Sequence, residues 1–171
     1  MSENRNIVLI GMPGVGKSTV GVLLAKALFL SFLDTDVVIQ SREGRRLQTI
    51  IHALGMEAFC ALEERHVLSV QCRGTVIATG GSVVYGDAPM AHLKENGVVV
   101  HLDLPLALLK RRVSDLDSRG VVMAPGQTLE SLYHDRQPLY VRHADLTVDC
   151  TNRTHEQVVR DTIKALQAER S

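Results

Sequence analysis

Residues Gly11-Met12-Pro13-Gly14-Val15-Gly16-Lys17-Ser18 fill every fixed position of the pattern G-x-x-x-x-G-K-[ST]. The residue types explain the chemistry. Glycines let successive backbone N–H groups turn toward one centre, and a helix opening at Lys17 adds partial positive charge there. Lys17 then reaches the β- and γ-phosphates of a nucleoside triphosphate, and the Ser18 hydroxyl takes a place on Mg²⁺. Gly11, Gly14, Val15, Gly16, Lys17, Ser18 and Thr19 are the candidate nucleotide-binding set. The alternative is a plain glycine turn before a helix, which chance supplies in about one chain per hundred or fewer. This cradle does not say what receives the phosphate: a nucleotide-triggered switch, a nucleoside kinase and a metabolite kinase all look alike up to Ser18.

A second chemical cluster is Asp34-Thr35-Asp36, directly after Phe32-Leu33. In an extended chain residues two apart point the same way, so the two carboxylates can share one face at the carboxyl end of a strand. Ligands of open α/β sheets bind at that end. One carboxylate can help hold Mg²⁺ through water while its neighbour accepts a proton from an attacking hydroxyl. The competing reading is an acidic turn capping a helix that begins near Val37.

These groups need elements to position them. The β-branched runs Ile7 to Ile10, Val76 to Ala78, Val98 to Leu102 and Leu146 to Val148 read as strands buried on both faces, with Phe32-Leu33 a weaker candidate. Between them, Ser18 to Leu30, Ala58 to Val70 and Glu156 to Leu166 repeat apolar residues at helical spacing, and Pro105 stands where a helix can start. Alternation of strand and helix predicts an α/β fold with an open parallel sheet covered on both faces. Residues 114–127, with Gly120, Pro125 and Gly126, are too long for a routine connection and suggest a mobile lid.

The whole chain bounds the reading. Its 171 residues suit one domain, and its 19 basic and 19 acidic side chains cancel, leaving no general field for nucleic acid or acidic lipid. Aromatic residues are 4% with no Trp, which argues against a base-stacking platform. Cys60, Cys72 and Cys150 lack zinc or redox spacing and read as free thiols of a reducing compartment. With no signal-peptide core or membrane-length apolar run, the expected location is the cytoplasm, and the neutral charge with few exposed apolar runs suits an expected monomer. The seven histidines show no metal-ligand spacing, and His101, inside a strand, reads as a satisfied core residue. Arg42-Glu43-Gly44-Arg45-Arg46 reads as a solvated helix junction, and Leu108 to Arg112 as a helix end whose cations complement the dipole.

Taken in order, the glycine-lysine cradle, Asp34-Thr35-Asp36, Glu57-x-x-Phe59 leading to Glu63, Ala78-Thr79-Gly80-Gly81, an arginine in the lid and Arg136-Gln137-Pro138-Leu139-Tyr140 resemble the shikimate kinases nearly end to end. The resemblance implies a three-layer P-loop fold of the nucleoside-monophosphate-kinase type, with a five-stranded parallel sheet, an acceptor-binding helical region at about 36–65 and a closing lid at about 114–127. It implies Mg²⁺·ATP as donor and a ring hydroxyl of shikimate as acceptor. On the same resemblance Asp34 is the magnesium-side aspartate, and Asp36 grips acceptor hydroxyls and is the general-base candidate. Gly80 and Gly81 approach the acceptor, and Arg136 binds its carboxylate, a task suited to a planar guanidinium. Arg119 closes onto the transferring phosphoryl group, and Arg112 and Arg153 border the adenine.

Three positions depart from the family pattern. Cys60 stands where Glu-x-x-Phe-Arg has its arginine, Ser82 replaces the third glycine of the turn, and the lid's Arg-Pro-Leu-Leu reads Arg119-Gly120-Val121-Val122. Two of the changes, Cys60 and Ser82, fall among the candidate acceptor-binding residues. A hydrogen bond to a charged group is worth about 1.5–3 kcal/mol, so one lost arginine weakens acceptor binding about 10- to 150-fold. Shikimate is the first expected acceptor. Another small hydroxy acid, such as homoserine, is the alternative within the family, and a nucleotide-binding switch or a nucleoside monophosphate kinase is the alternative outside it.

Overall fold

The computed structural model describes residues 5–113, 123 and 126–169. Five strands, β1 (Asn6–Ile10), β2 (Ser31–Asp34), β3 (Thr75–Ala78), β4 (Gly97–Asp103) and β5 (Leu146–Asp149), form one parallel sheet in the order β2-β3-β1-β4-β5. The helices are α1 (Lys17–Leu28), α2 (Thr35–Glu43), α3 (Leu47–Leu54), α4 (Met56–Leu68), α5 (Asp87–Glu95), α6 (Leu106–Val113), α7 (Leu129–His143) and α8 (His155–Glu169), with a 3₁₀ turn at Val83–Tyr85. This is the expected α/β architecture. The central strands β1, β3 and β4 are buried almost throughout, so their β-branched residues meet packed side chains on both faces. The edge strands β2 and β5 depart from that expectation and are largely half-buried or exposed, as only one neighbour shields each.

Helix boundaries move by small amounts from those read in the sequence. α1 stops at Leu28 because Phe29 takes a left-handed conformation (φ 56°), its N–H returning to the carbonyls of the last turn. α4 spans 56–68 rather than 58–70, and α2 begins at Thr35, two residues before Val37. α1 and α8 lie side by side on the sheet, while α5 and α7 pack against β4. A second, smaller apolar cluster of Ile39, Ile50, Phe59 and Leu62 holds α2, α3 and α4 together. It anchors the helical region at about 36–65 beside the mouth of the sheet. The charged run from Arg42 to Arg46 is exposed, with Gly44 left-handed at the end of α2. Among the described residues no helix is long and apolar enough to cross a membrane.

His101 sits in the core on β4 but is not fully satisfied: its Nδ1 has no partner among the described residues. Its ring stacks on Tyr140 at 5.2 Å between centroids, and Nε2 lies 3.9 Å from Asp103 Oδ1. Burial holds its pKa down, with Asp103 opposing, so the imidazole stays neutral.

Candidate active site

The chain order puts β1 between β3 and β4, so connections leave its two sides in opposite directions and open a crevice at the carboxyl ends of the strands. A cleft of about 1060 Å³ occupies that position. One wall is the loop from β1 into α1. Gly11, Gly14 and Gly16 have φ values of 146°, 83° and 105°, a region closed to most side chains. Gly16 is also covered by α8, since a Cβ there would stand 3.0 Å from His155 Nε2. The buried Lys17 folds back over the loop, donating from Nζ to the carbonyls of Gly11 (2.7 Å) and Met12 (3.0 Å). Burial lowers its pKa to about 8, with Asp36 opposing the shift and Arg136 adding to it.

Asp34 closes β2 and does two jobs. Its Oδ1 accepts from the N–H groups of Asp36 and Val37, capping α2, and its Oδ2 accepts from Ser18 Oγ at 2.6 Å. The cap of α2 and the contact with Ser18 are thus one arrangement. The pairing with Asp36 does not come from strand alternation, however, because Asp36 lies in the first turn of α2. Burial raises the Asp36 pKa to about 6, reinforced by Asp34 and opposed by Lys17. The Ser18 and Asp34 oxygens are hard donors at one corner of the cleft. Among the described residues no group of three or more His, Cys, Asp or Glu side chains could hold a metal by itself.

The floor is the turn after β3. Thr35 Oγ1 accepts from the Gly80 N–H at 3.0 Å, tying this turn to the start of α2. A Cβ on Gly80 would collide with Glu63 Oε1 and stand 2.9 Å from Asp36 Oδ1; one on Gly81 would stand 2.6 Å from Arg136 Nη1. Arg136, brought by α7, is 2% exposed. Its Nε donates to Tyr85 Oη at 3.2 Å, and its guanidinium lies 5.2 Å from the centroid of the Tyr85 ring. Ser82 Oγ donates to Glu63 Oε2 at 2.5 Å, and burial raises the Glu63 pKa to about 7.

The structure brings most of the sequence-predicted residues to this cleft: Gly14, Gly16, Lys17, Ser18, Thr19, Asp34, Asp36, Gly80, Gly81, Ser82, Arg112, Arg136 and Arg153 line it. Gly11 contributes the carbonyl that holds Lys17, and the buried Val15 offers its carbonyl to Arg112 Nη1 at 3.1 Å. Cys60 lines an adjoining cavity of about 200 Å³ instead, which it shares with Glu63, Ser82 and Tyr85. Arg119 and most of 114–127 lie outside the described residues. Glu63, Tyr85 and His155 are the neighbours that sequence reasoning did not assign. Glu63 carried a signal in its place one helical turn after Cys60; Tyr85 and His155 carried none.

The model of the shikimate kinase family matches residues 13–167. A shikimate kinase of Caldanaerobacter subterraneus subsp. tengcongensis is 34% identical over 164 residues, covering 94% of this chain and 95% of its own. One of Pseudomonas entomophila is 37% identical over 166 residues, with 95% and 96% covered. Among solved structures, the shikimate kinase of Acinetobacter baumannii in complex with shikimate superimposes with a TM-score of 0.85 at 29% identity, covering 96% of this chain and 94% of that one.

Proposed function

The chain belongs to the shikimate kinase family, and from that premise we propose that it transfers the γ-phosphate of ATP to a hydroxyl of a small carboxylate-bearing metabolite, shikimate first among them. The observation that supports this best is the common cleft in which Lys17, Asp36 and Arg136 meet. It offers a phosphate cation, a base and a carboxylate cation within one enclosure.

In this reading Lys17 exchanges the Gly11 and Met12 carbonyls for phosphate oxygens, and the loop N–H groups cradle the phosphate chain. Ser18 and Asp34 would hold Mg²⁺, which would supply neutralisation of phosphate charge when bound. Asp36, above its pKa of about 6 at neutral pH, orients the acceptor hydroxyl and takes its proton as the bond to phosphorus forms. Arg136 fixes the acceptor through its carboxylate, pre-aimed by Tyr85. Arg112 and Arg153 border the adenine. Residues 114–127 act as a lid that expels water and brings Arg119 to the phosphoryl group. The protein works as one domain, a cytoplasmic monomer.

Coupled ADP release with Mg²⁺·ATP and shikimate tests the proposal. Acceptor-dependent turnover is expected, with the acceptor KM raised about 10- to 150-fold in Arg136→Ala and the ATP KM little altered. An unchanged acceptor KM removes Arg136 from acceptor binding. Absence of acceptor-dependent ADP release removes the kinase reading and favours a nucleotide-binding switch. A second reading, an acceptor such as homoserine or a related hydroxy acid, is favoured by Cys60 and by a Glu63 oxygen left without a donor.

A further inference from the structure

Glu63 is a carboxylate 2% exposed at the inner end of the cleft. Its Oε2 is taken by Ser82, but Oε1 has no hydrogen-bond donor among the described residues. Leaving a buried carboxylate oxygen bare is costly unless something supplies N–H or O–H groups to it. The position one turn earlier on α4, Cys60, is the place from which a side chain could reach it. Burial and the charge of Glu63 hold the Cys60 thiol above its ordinary pKa, so it contributes no charge.

The unpartnered, buried oxygen faces the turn after β3. A Cβ added to Gly80 would meet both Glu63 Oε1 and Asp36 Oδ1, and one added to the next residue, Gly81, would meet Arg136 Nη1. Consecutive Cα atoms stand about 3.8 Å apart. Two carboxylate oxygens and a guanidinium nitrogen are therefore offered from adjacent points of one glycine floor. That is a charge pattern matched by a molecule carrying an ammonium and a carboxylate on one carbon.

We infer that the cleft also takes small hydroxy-amino acids as phosphoryl acceptors, with the ammonium on Glu63 Oε1, the carboxylate on Arg136 and the side-chain hydroxyl on Asp36. The inference rests on the kinase reading above and adds a substrate class to the same site. The transfer balances as for any alcohol. The hydroxyl oxygen bonds to the γ-phosphorus, the bond from that phosphorus to the β–γ bridging oxygen breaks, the hydroxyl proton passes to the Asp36 carboxylate, and ADP and an O-phospho-amino acid leave.

The test is ADP release by the full chain with Mg²⁺·ATP, run in parallel on L-homoserine, L-serine, L-threonine and shikimate, with the phosphorylated product identified by mass. Transfer to at least one amino acid is expected. Its kcat/KM, taken as a ratio to that for shikimate or, lacking shikimate turnover, to its own unmutated value, is expected to fall about 10- to 150-fold in Glu63→Gln. A comparable fall is expected in Cys60→Arg, which places a competing cation one turn from Glu63, so the two variants check each other should either fold poorly. Turnover of shikimate with none on the amino acids overturns the inference and leaves the kinase reading standing. An unchanged ratio in both folded variants overturns the role of Glu63. No turnover on any acceptor, with ATP still bound, overturns the kinase reading and the inference with it.

Discussion

At the scale of single residues, the cleft separates two carboxylates by what surrounds them. Asp34 spends both oxygens, on the cap of α2 and on Ser18, while Asp36 lies half-buried beside it with its pKa raised by desolvation to about 6. A base must be ionised and the phosphate cation charged to act, so kcat/KM is expected to fall as pH drops through about 6, to level near neutrality and to fall again above about 8, where Lys17 loses its proton. An Asp36→Asn variant should lose about 10²- to 10⁴-fold in kcat while still binding ATP; wild-type turnover in that variant would remove the base assignment. The loop and these two aspartates were legible in the sequence because each is a local string with fixed spacing. Strand alternation does not account for Asp36, because a strand-to-helix turn brings it beside Asp34. Tyr85 was not legible at all, because what makes it matter is the arrival of Arg136 from a helix some fifty positions later. His101 was misjudged for a related reason: a strand residue's partners belong to other segments, and local sequence cannot promise them.

At the scale of elements, the turn after β3 and the helix α7 decide how well the acceptor is held. Gly81 has ordinary backbone angles, so an alanine there meets no conformational strain, but its Cβ lands 2.6 Å from Arg136 Nη1. The guanidinium is the free end of a long side chain and can move aside. Gly81→Ala is therefore expected to fold with nearly unchanged Tm while raising the acceptor KM several-fold, a separation that thermal melting and steady-state kinetics resolve together. α7 itself is fixed at its start by a reciprocal cap, Thr128 Oγ1 accepting from the Ser131 N–H and Ser131 Oγ accepting from the Thr128 N–H, both at 3.1 Å. Thr128→Ala should cost about 1 kcal/mol, lowering Tm by about 2–4 °C. The strands and the helices α1, α4 and α8 followed from periodicity, whereas α3, α5 and α7 were not legible from it, and the one- to three-residue shifts in element ends include those set by caps such as Asp34 and the left-handed Phe29, which periodicity does not register.

At the scale of the whole molecule, the nucleotide loop is a junction of segments drawn from across the chain: β1 and α1 form it, Ser18 reaches Asp34 at the end of β2, Arg112 comes from α6 and His155 from α8. A ligand seated there stabilises all of them at once. Mg²⁺·ATP at about 100 times its Kd should raise Tm by about 5–10 °C, and chelating the metal should reverse most of that gain; a melt indifferent to nucleotide would contradict the loop's assignment. The place of β1 has a consequence for the chain as it is made. β1 is the first strand of this sheet to be synthesised, yet both strands that flank it, β3 and β4, lie 65 or more positions downstream. At about 5–20 residues per second, its Ile and Val side chains and its backbone hydrogen-bonding groups wait on the order of ten seconds before native neighbours exist. During that interval the nascent segment is a bare apolar strand open on both edges, the form most inviting to a holding chaperone or to a wrong pairing. Nucleotide cannot rescue it early, because the wall completed by Arg112 and His155 is synthesised long after β1.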